Sequence, residues 1–326
     1  MLNLKLIWAE QKPSKDELII KTKINEIPQF NCFAATNHKT GNHLFFIELS
    51  NHVEVPDFKK LKFKGVRIEI FKFEEKQELN VYLIDIELKD IFTLFIENII
   101  NELIELSTEN EAVITISNVI QKWRKLFDKI SPQGLTIEQQ KGLLGELLFI
   151  SDLISSKLNI DNILNSWTGP DFEDKDFTLS STCFEIKFTT SKLPRIKITS
   201  ERQLETSNIE RLFLNNYIAE NVKENGISLN SIVDIIRQKI SNNSATLKFF
   251  NEKLEFANYF DEHRDNYNSQ YGIKSSSLFH VNEDFPKITA NIIPQGIYNT
   301  SYYIEASAID DYKVEFKTVV NYLNNE

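Results

Sequence analysis

The 326-residue sequence has only two cysteines, Cys32 and Cys183, far apart and outside any C-x-x-C. That argues against a disulfide framework or a zinc ribbon, and it makes a reducing cytoplasm the expected compartment. No stretch approaches the roughly 20 apolar residues of a membrane span, so no membrane partner is expected. The opening residues, Met-Leu-Asn-Leu-Lys-Leu-Ile-Trp-Ala-Glu, lack the charged, apolar and small-residue regions of a signal peptide. Positive charge is in deficit: 37 Lys and Arg face 47 Asp and Glu, a net charge of −10. This argues against a simple nucleic-acid coat, since phosphate neutralisation supplies most of such affinity. Only local basic runs can serve. Repeats, low-complexity tracts, a P-loop, a Ser–His–Asp order and coiled-coil heptads are missing too. What is present, 41% apolar and 26% charged residues, is the composition of a soluble globular protein. The length suits one large or two ordinary domains.

Chemistry-bearing residues concentrate in Asp176-Phe-Thr-Leu-Ser-Ser-Thr-Cys-Phe-Glu185-Ile-Lys187-Phe-Thr-Thr190. The stretch reads as two short strands joined by a polar turn, Ser180-Ser181-Thr182. Side chains alternate along a strand. Glu185 and Lys187 therefore share one face, while Phe184, Ile186 and Phe188 take the other and enter a core. Asp176 joins Glu185 and Lys187 if the turn holds two or four residues; a turn of three puts it on the wrong face. Two carboxylates with an open side suit Mg²⁺, with Mn²⁺ as a substitute, because such a hard cation takes few protein oxygens and keeps its waters and a phosphate. The backbone carbonyl of Ile186 can add a ligand. Lys187 can position or deprotonate an attacking water, and the metal can polarise the phosphoryl oxygen. The bland counterpart is an exposed strand face carrying a Glu–Lys pair.

The surroundings add an ordered set: Gly-Leu-Leu-Gly-Glu146-Leu-Leu, Trp167-Thr-Gly-Pro170, Lys175-Asp176-Phe177, Glu185-Ile-Lys187 and Ile198-Thr-Ser-Glu-Arg-Gln203-Leu204. The set resembles the PD-(D/E)XK nuclease superfamily, and more narrowly a family of bacterial PD-(D/E)XK motif proteins associated with restriction and phage-defence loci. The resemblance is firm over about residues 135–215 and loosest over the N-terminal third. It implies a restriction-endonuclease-like core, a central mixed sheet flanked by helices. It further implies a Mg²⁺-dependent DNA endonuclease in which Asp176 and Glu185 bind the metal and Lys187 orients the water, with Glu146 and Gln203 in support. The literal Pro-Asp is Pro170-Asp171, so Asp171 stands as the alternative to Asp176. The partners implied are DNA and defence proteins such as a helicase-like ATPase or a methyltransferase. Double-strand cutting would call for a homodimer. The rival readings are a catalytically silent DNA-binding or structural subunit, and a nuclease for RNA, branched or single-stranded DNA.

The expected fold class is α/β. Residues 1–130 form a β-rich N-terminal domain with connecting helices, and residues 131–326 form the nuclease-like domain. Strand-like runs in the first part are Leu4–Trp8, Leu18–Ile24, Leu44–Leu49, Leu61–Phe73 and Val81–Leu88. His38, His43 and His52 match no standard zinc spacing and are read as non-ligands. Helices are expected over 91–106 and 112–130, then from Thr136, a candidate N-cap, to Lys157. In that last helix Glu146 falls among the apolar residues. It either reaches the metal site or pairs with a cation such as Lys187. Gly142 is expected to let another element come close. Ser200 and Gln203 form a capping-box pattern, predicting a helix through Ile209, Leu212, Phe213 and Tyr217 whose N-terminus suits a phosphate. Further helices are expected over 229–240 and 245–261, and strands over 194–199, 277–281, 287–293 and 301–305. Two basic runs, Lys59–Arg67 and Lys187–Lys197, are either solvated faces or phosphate contacts.

Overall fold

The computed structural model describes residues 3–12, 18–58, 61, 63–127, 131, 133–171, 174–191, 193, 195–207 and 209–324, without the side chains of Lys125 and Asp171. The chain divides into two compact units, Met1–Pro132 and Gln133–Glu326, and its class is mixed α/β.

The first unit is built on an antiparallel sheet, in the order β1 (Ile19–Lys23), β2 (Asn31–Asn37), β3 (Asn42–Ser50), β5 (Lys76–Leu83) and β4 (Val66–Lys72). Its helices are α1 (Leu4–Glu10), α2 (Lys89–Leu103) and α3 (Glu109–Phe127). The strand expected at Leu4–Trp8 is α1. Leu4, Leu6 and Trp8 alternate, but Leu4 and Trp8 also sit four apart. The structure buries those two and leaves Leu6 55% exposed, which is the helical solution. Asn3 caps the helix, accepting from the Leu6 N–H at 3.0 Å. His43 stacks on Trp8 at 4.4 Å and contacts Thr36 Oγ1 through Nδ1 at 3.1 Å. Burial drives its pKa down to about 4, the behaviour of a neutral core histidine. In the basic run Lys59–Arg67, Lys59, Lys60 and Lys62 lie outside the described residues.

The second unit carries a mixed sheet in the order β12 (Lys313–Val314), β10 (Gln270–His280), β9 (Arg211–Val222), β7 (Thr182–Thr189) and β6 (Phe177–Leu179). Only β7 and β9 are parallel. A separate ribbon joins β8 (Arg195–Ile198) to β11 (Tyr302–Glu305). The helices are α4 (Ile137–Ser155), α5 (Ile160–Ser166), α6 (Leu229–Ile240), α7 (Ser244–Phe256) and α8 (Phe316–Leu323). On one face of the sheet Phe149 of α4 meets Phe177 and Phe184 at 5.1 and 5.0 Å. All three are fully buried, and truncating any one to alanine would cost about 3–5 kcal/mol. On the other face Cys183, Leu212 and Leu214 pack with Ile196, Ile198 and Ile304 of the ribbon. With apolar cover on both faces, β9 has the apolar run of a fully buried strand. That is why its Leu212, Phe213 and Tyr217 imitate helical spacing. The predicted helix after Ser200 does not form: residues 201–204 are a turn, and the chain continues as strand β9. The strand expected over 287–293 is also absent, replaced by a 3₁₀ turn at Ala290–Ile292 with Ile292 65% exposed.

Helix α4 begins as its sequence indicates. Thr136 and Gln139 form a reciprocal capping box, at 3.3 and 2.9 Å. The close approach is at Gly145, not Gly142. A Cβ on Gly145 would lie 3.1 Å from Phe188 Cβ, whereas one on Gly142 would meet nothing within 4 Å among the described residues. Gly145→Val is therefore expected to push α4 off β7 and to cost about 1–3 kcal/mol. Gly142→Ala is expected to stabilise by about 0.5–1 kcal/mol through helix propensity alone. Denaturant midpoints of the two variants check the contrast, and equal shifts would contradict this packing.

Candidate active site

The hairpin register decides the parity question. Leu179 pairs with Thr182 and Phe177 with Phe184, so only Ser180 and Ser181 form the turn. Ser180 takes the positive φ of 49° that so tight a turn requires. Two turn residues put Asp176 opposite Glu185, on its face. Strand pairing between β6 and β7 stops at Phe177, which leaves the β7 edge open from Glu185 onward. Asp176 fills that edge: its Oδ2 accepts the Ile186 N–H at 2.7 Å. A strand residue turns its N–H and C=O to the same edge, so the Ile186 carbonyl opens on this side as well.

Glu185 is 1% exposed. Its Oε1 accepts from Lys187 Nζ at 2.6 Å, and its Oε2 is buried without a hydrogen-bond partner among the described residues. Burial first, and the Asp176 charge second, raise its pKa to about 8; Lys187 pulls the other way. Burial likewise raises Asp176, against the lowering pull of Lys187, the Ile186 N–H and Lys175. Glu146, projecting from α4, is pushed well up by burial and by Asp176. Its Oε2 accepts from Trp167 Nε1 at 2.7 Å, while Lys187 goes to Glu185 and to Gln203 Oε1, at 3.1 Å for the latter. Gln203 Oε1 also takes the Thr199 N–H at 2.8 Å and Oγ1 at 3.0 Å. The structure thus brings Asp176, Glu185, Lys187, Glu146 and Gln203 together, Gln203 from a turn and not from a helix. The side chain of Asp171 lies outside the described residues.

Three further contributors stand in the sequence motifs, where no role at the site was expected of them. Trp167, fully buried, holds Glu146, and its own carbonyl accepts from Lys253 Nζ of α7 at 2.8 Å. Gly169 faces Glu146 and Asp176. A Cβ there would lie 3.0 Å from Glu146 Oε2 and 3.5 Å from Asp176 Oδ1, so glycine leaves room for both carboxylates. Lys175 is buried, and its Nζ reaches the carbonyls of Arg202 and Gln203 at 2.5 and 2.8 Å. It fastens the turn that presents Gln203 to the hairpin. Burial holds its pKa below the usual lysine range. Lys175→Met keeps the volume but frees that turn. A rate loss of about 10- to 100-fold with little change in thermal midpoint is expected, since small misplacements are costly. An unchanged rate would remove Lys175 from the positioning role.

Among the described residues no group of three or more His, Cys, Asp and Glu side chains is arranged to hold a metal ion. Mg²⁺ does not need such a cage, because one or two carboxylates suffice when it keeps its waters. The residues present fit that demand: an unpartnered buried Glu185 Oε2, the Asp176 carboxylate and a strand-edge carbonyl.

A mixed α/β unit whose hairpin sets Asp176 beside an E-x-K strand has the make-up of a PD-(D/E)XK protein, a superfamily of nuclease type. The family model that matches, over residues 4–307, is DUF4420, described as "Putative PD-(D/E)XK family member", and the chain belongs to that family. No curated protein and no solved structure matches it. Among the described residues no helix is long and apolar enough to cross a membrane.

Proposed function

We propose that the chain is a Mg²⁺-dependent DNA endonuclease, with a restriction-endonuclease-like core, serving a bacterial restriction or anti-phage defence system in the cytoplasm. The observation that carries the reading is the convergence of Asp176, Glu185 and Lys187, with a buried Glu185 Oε2 that has no hydrogen-bond partner among the described residues. The defence setting rests on the family likeness, as do partner proteins such as a helicase-like ATPase or a methyltransferase. A homodimer would be needed to cut both strands.

Asp176, Glu185 and the Ile186 carbonyl would hold the cation. When bound, it polarises the phosphoryl oxygen and activates water. Lys187 is anchored at two points, by Glu185 Oε1 and Gln203 Oε1. Its ammonium can orient the attacking water and offset charge developing on the phosphate. Trp167 fixes the carboxyl of Glu146 beside Asp176. Hydrolysis is an in-line attack: one P–O bond forms to the water oxygen, one breaks to the leaving sugar oxygen, and no covalent intermediate is made.

Supercoiled plasmid with Mg²⁺ or Mn²⁺ tests the reading. Nicking or linearisation that stops in EDTA supports it. A wild-type protein that neither cuts DNA nor binds Mn²⁺ in calorimetry would instead be the silent DNA-binding or structural subunit.

A further inference from the structure

A cleft of about 540 Å³ opens beside Lys187. Its floor comes from β7 and β9, where Lys187 and Asn216 pair in the parallel register and so share a face. One wall is the start of α4 with Lys141. The other wall is the β8–β11 ribbon. Ile196, Ile198 and Ile304 of that ribbon turn into the apolar core. Alternation therefore turns Arg195, Lys197 and Tyr303 outward, with Lys197 and Tyr303 as a cross-strand pair.

The lining has a consistent chemistry. Among the described residues that line it, Lys141, Lys187, Arg195 and Lys197 face a single acid, Glu138. Lys141 and Arg195 are tied to Glu138 and Glu305 at 2.8 and 3.2 Å, but these are partly exposed pairs that a phosphate can displace. Tyr303 is 62% exposed and offers a ring for stacking. Asn216 is only 4% exposed, lines the cleft, and has an Oδ1 without a hydrogen-bond partner among the described residues. A buried amide oxygen left unpaired is costly, and a turn of the Asn216 side chain toward the cleft would let the amino edge of a nucleobase satisfy it. The volume is that of a small-ligand pocket, with room for a nucleotide. Basic groove, aromatic platform and polar reader together are the features that hold single strands.

We propose that this cleft receives an unpaired nucleotide of the strand to be cut, so that the substrate is single-stranded or locally opened DNA. The base stacks on Tyr303 and meets Asn216, and the flanking phosphates lie on Lys141 and Lys197. This inference rests on the nuclease reading of the adjoining carboxylates.

Fluorescence anisotropy of the full chain in EDTA tests it, with a short labelled DNA strand and the same sequence as a blunt duplex. The strand is expected to bind at least about tenfold more tightly. Tyr303→Ala is expected to weaken strand binding roughly 5- to 100-fold, the range for one lost stacking contact, and to leave duplex binding unchanged. Lys197→Ala is expected to flatten the salt dependence of strand binding by about 0.7, the slope of one phosphate contact. Both side chains are exposed, so folding is not at stake. Equal affinity for strand and duplex, binding to neither, or strand binding unaltered by both substitutions overturns the proposal. A protein that cuts plasmid duplex yet shows no strand preference keeps the nuclease reading and loses this one. Strand binding that depends on Tyr303, in a protein that neither cuts DNA nor binds Mn²⁺, keeps the single-strand cleft and loses the nuclease reading.

Discussion

Alanine at Lys187 is expected to lower phosphodiester cleavage by about 10²- to 10³-fold, the usual effect of removing one pre-positioned charge from a reacting centre. Lys187 Nζ is bonded to Glu185 Oε1 and Gln203 Oε1, so its position is set from two elements. Its loss has a second consequence. Lys187 is the largest influence pulling the Glu185 carboxyl down against burial; without it that carboxyl rises further, and metal affinity near neutral pH weakens. Lys187→Arg is not expected to rescue the rate, because a guanidinium fork cannot occupy the place of a compact ammonium between two fixed oxygens. Single-turnover cleavage of a labelled fragment at saturating Mn²⁺ separates the rate effect from the affinity effect. Wild-type rates in Lys187→Ala would exclude the assigned role.

The second large effect is on pH. Glu185 rises in the folded protein from its ordinary 4.5 to about 8. Between those values the folded chain keeps a proton that the unfolded chain has lost. Stability is therefore fully supported below about 4.5 and is lost as pH rises through about 8. Glu146 and Asp176, also raised, act in the same direction. A divalent cation needs the deprotonated carboxylate, so its binding displaces that proton. Mn²⁺ affinity is expected to fall about tenfold per pH unit below 8, with proton release visible as a buffer-dependent heat. Without metal, Glu185→Gln is expected to melt at a higher temperature than wild type at pH 8, since it removes a buried charge. Mn²⁺ affinity that is equal at pH 6 and pH 8 would contradict the placement of the cation on Glu185.

Local rules made much of this site readable. The E-x-K strand places its residues by alternation alone, and the Asp176 parity follows once two turn residues are counted. Thr136 and Gln139 announce the start of α4 through short-range hydrogen bonds. Residues whose role depends on distant partners were not readable. Ser200 and Gln203 carry a capping-box pattern, but Gln203 spends its amide oxygen on Thr199 and Lys187, and Lys175 fixes the turn from outside. Strand β9 looks helical because both of its faces are buried. Trp167 gives no local sign that its indole will hold Glu146, and Gly145 rather than Gly142 is singled out only by the strand that packs on it. In the first unit, β2 was not expected because Ala34, Ala35 and flanking asparagines are weak strand formers; its pairing with β1 and β3 supplies what propensity lacks.

The most direct test is a supercoiled plasmid assay in Mg²⁺ or Mn²⁺ with wild type, Glu185→Ala and Lys187→Ala, and EDTA as the blank, after thermal melts show all three proteins folded. Nicked or linear product from wild type, lost in both variants and in EDTA, is the expected result. Cleavage that survives both substitutions would mean that the active site lies elsewhere in the chain.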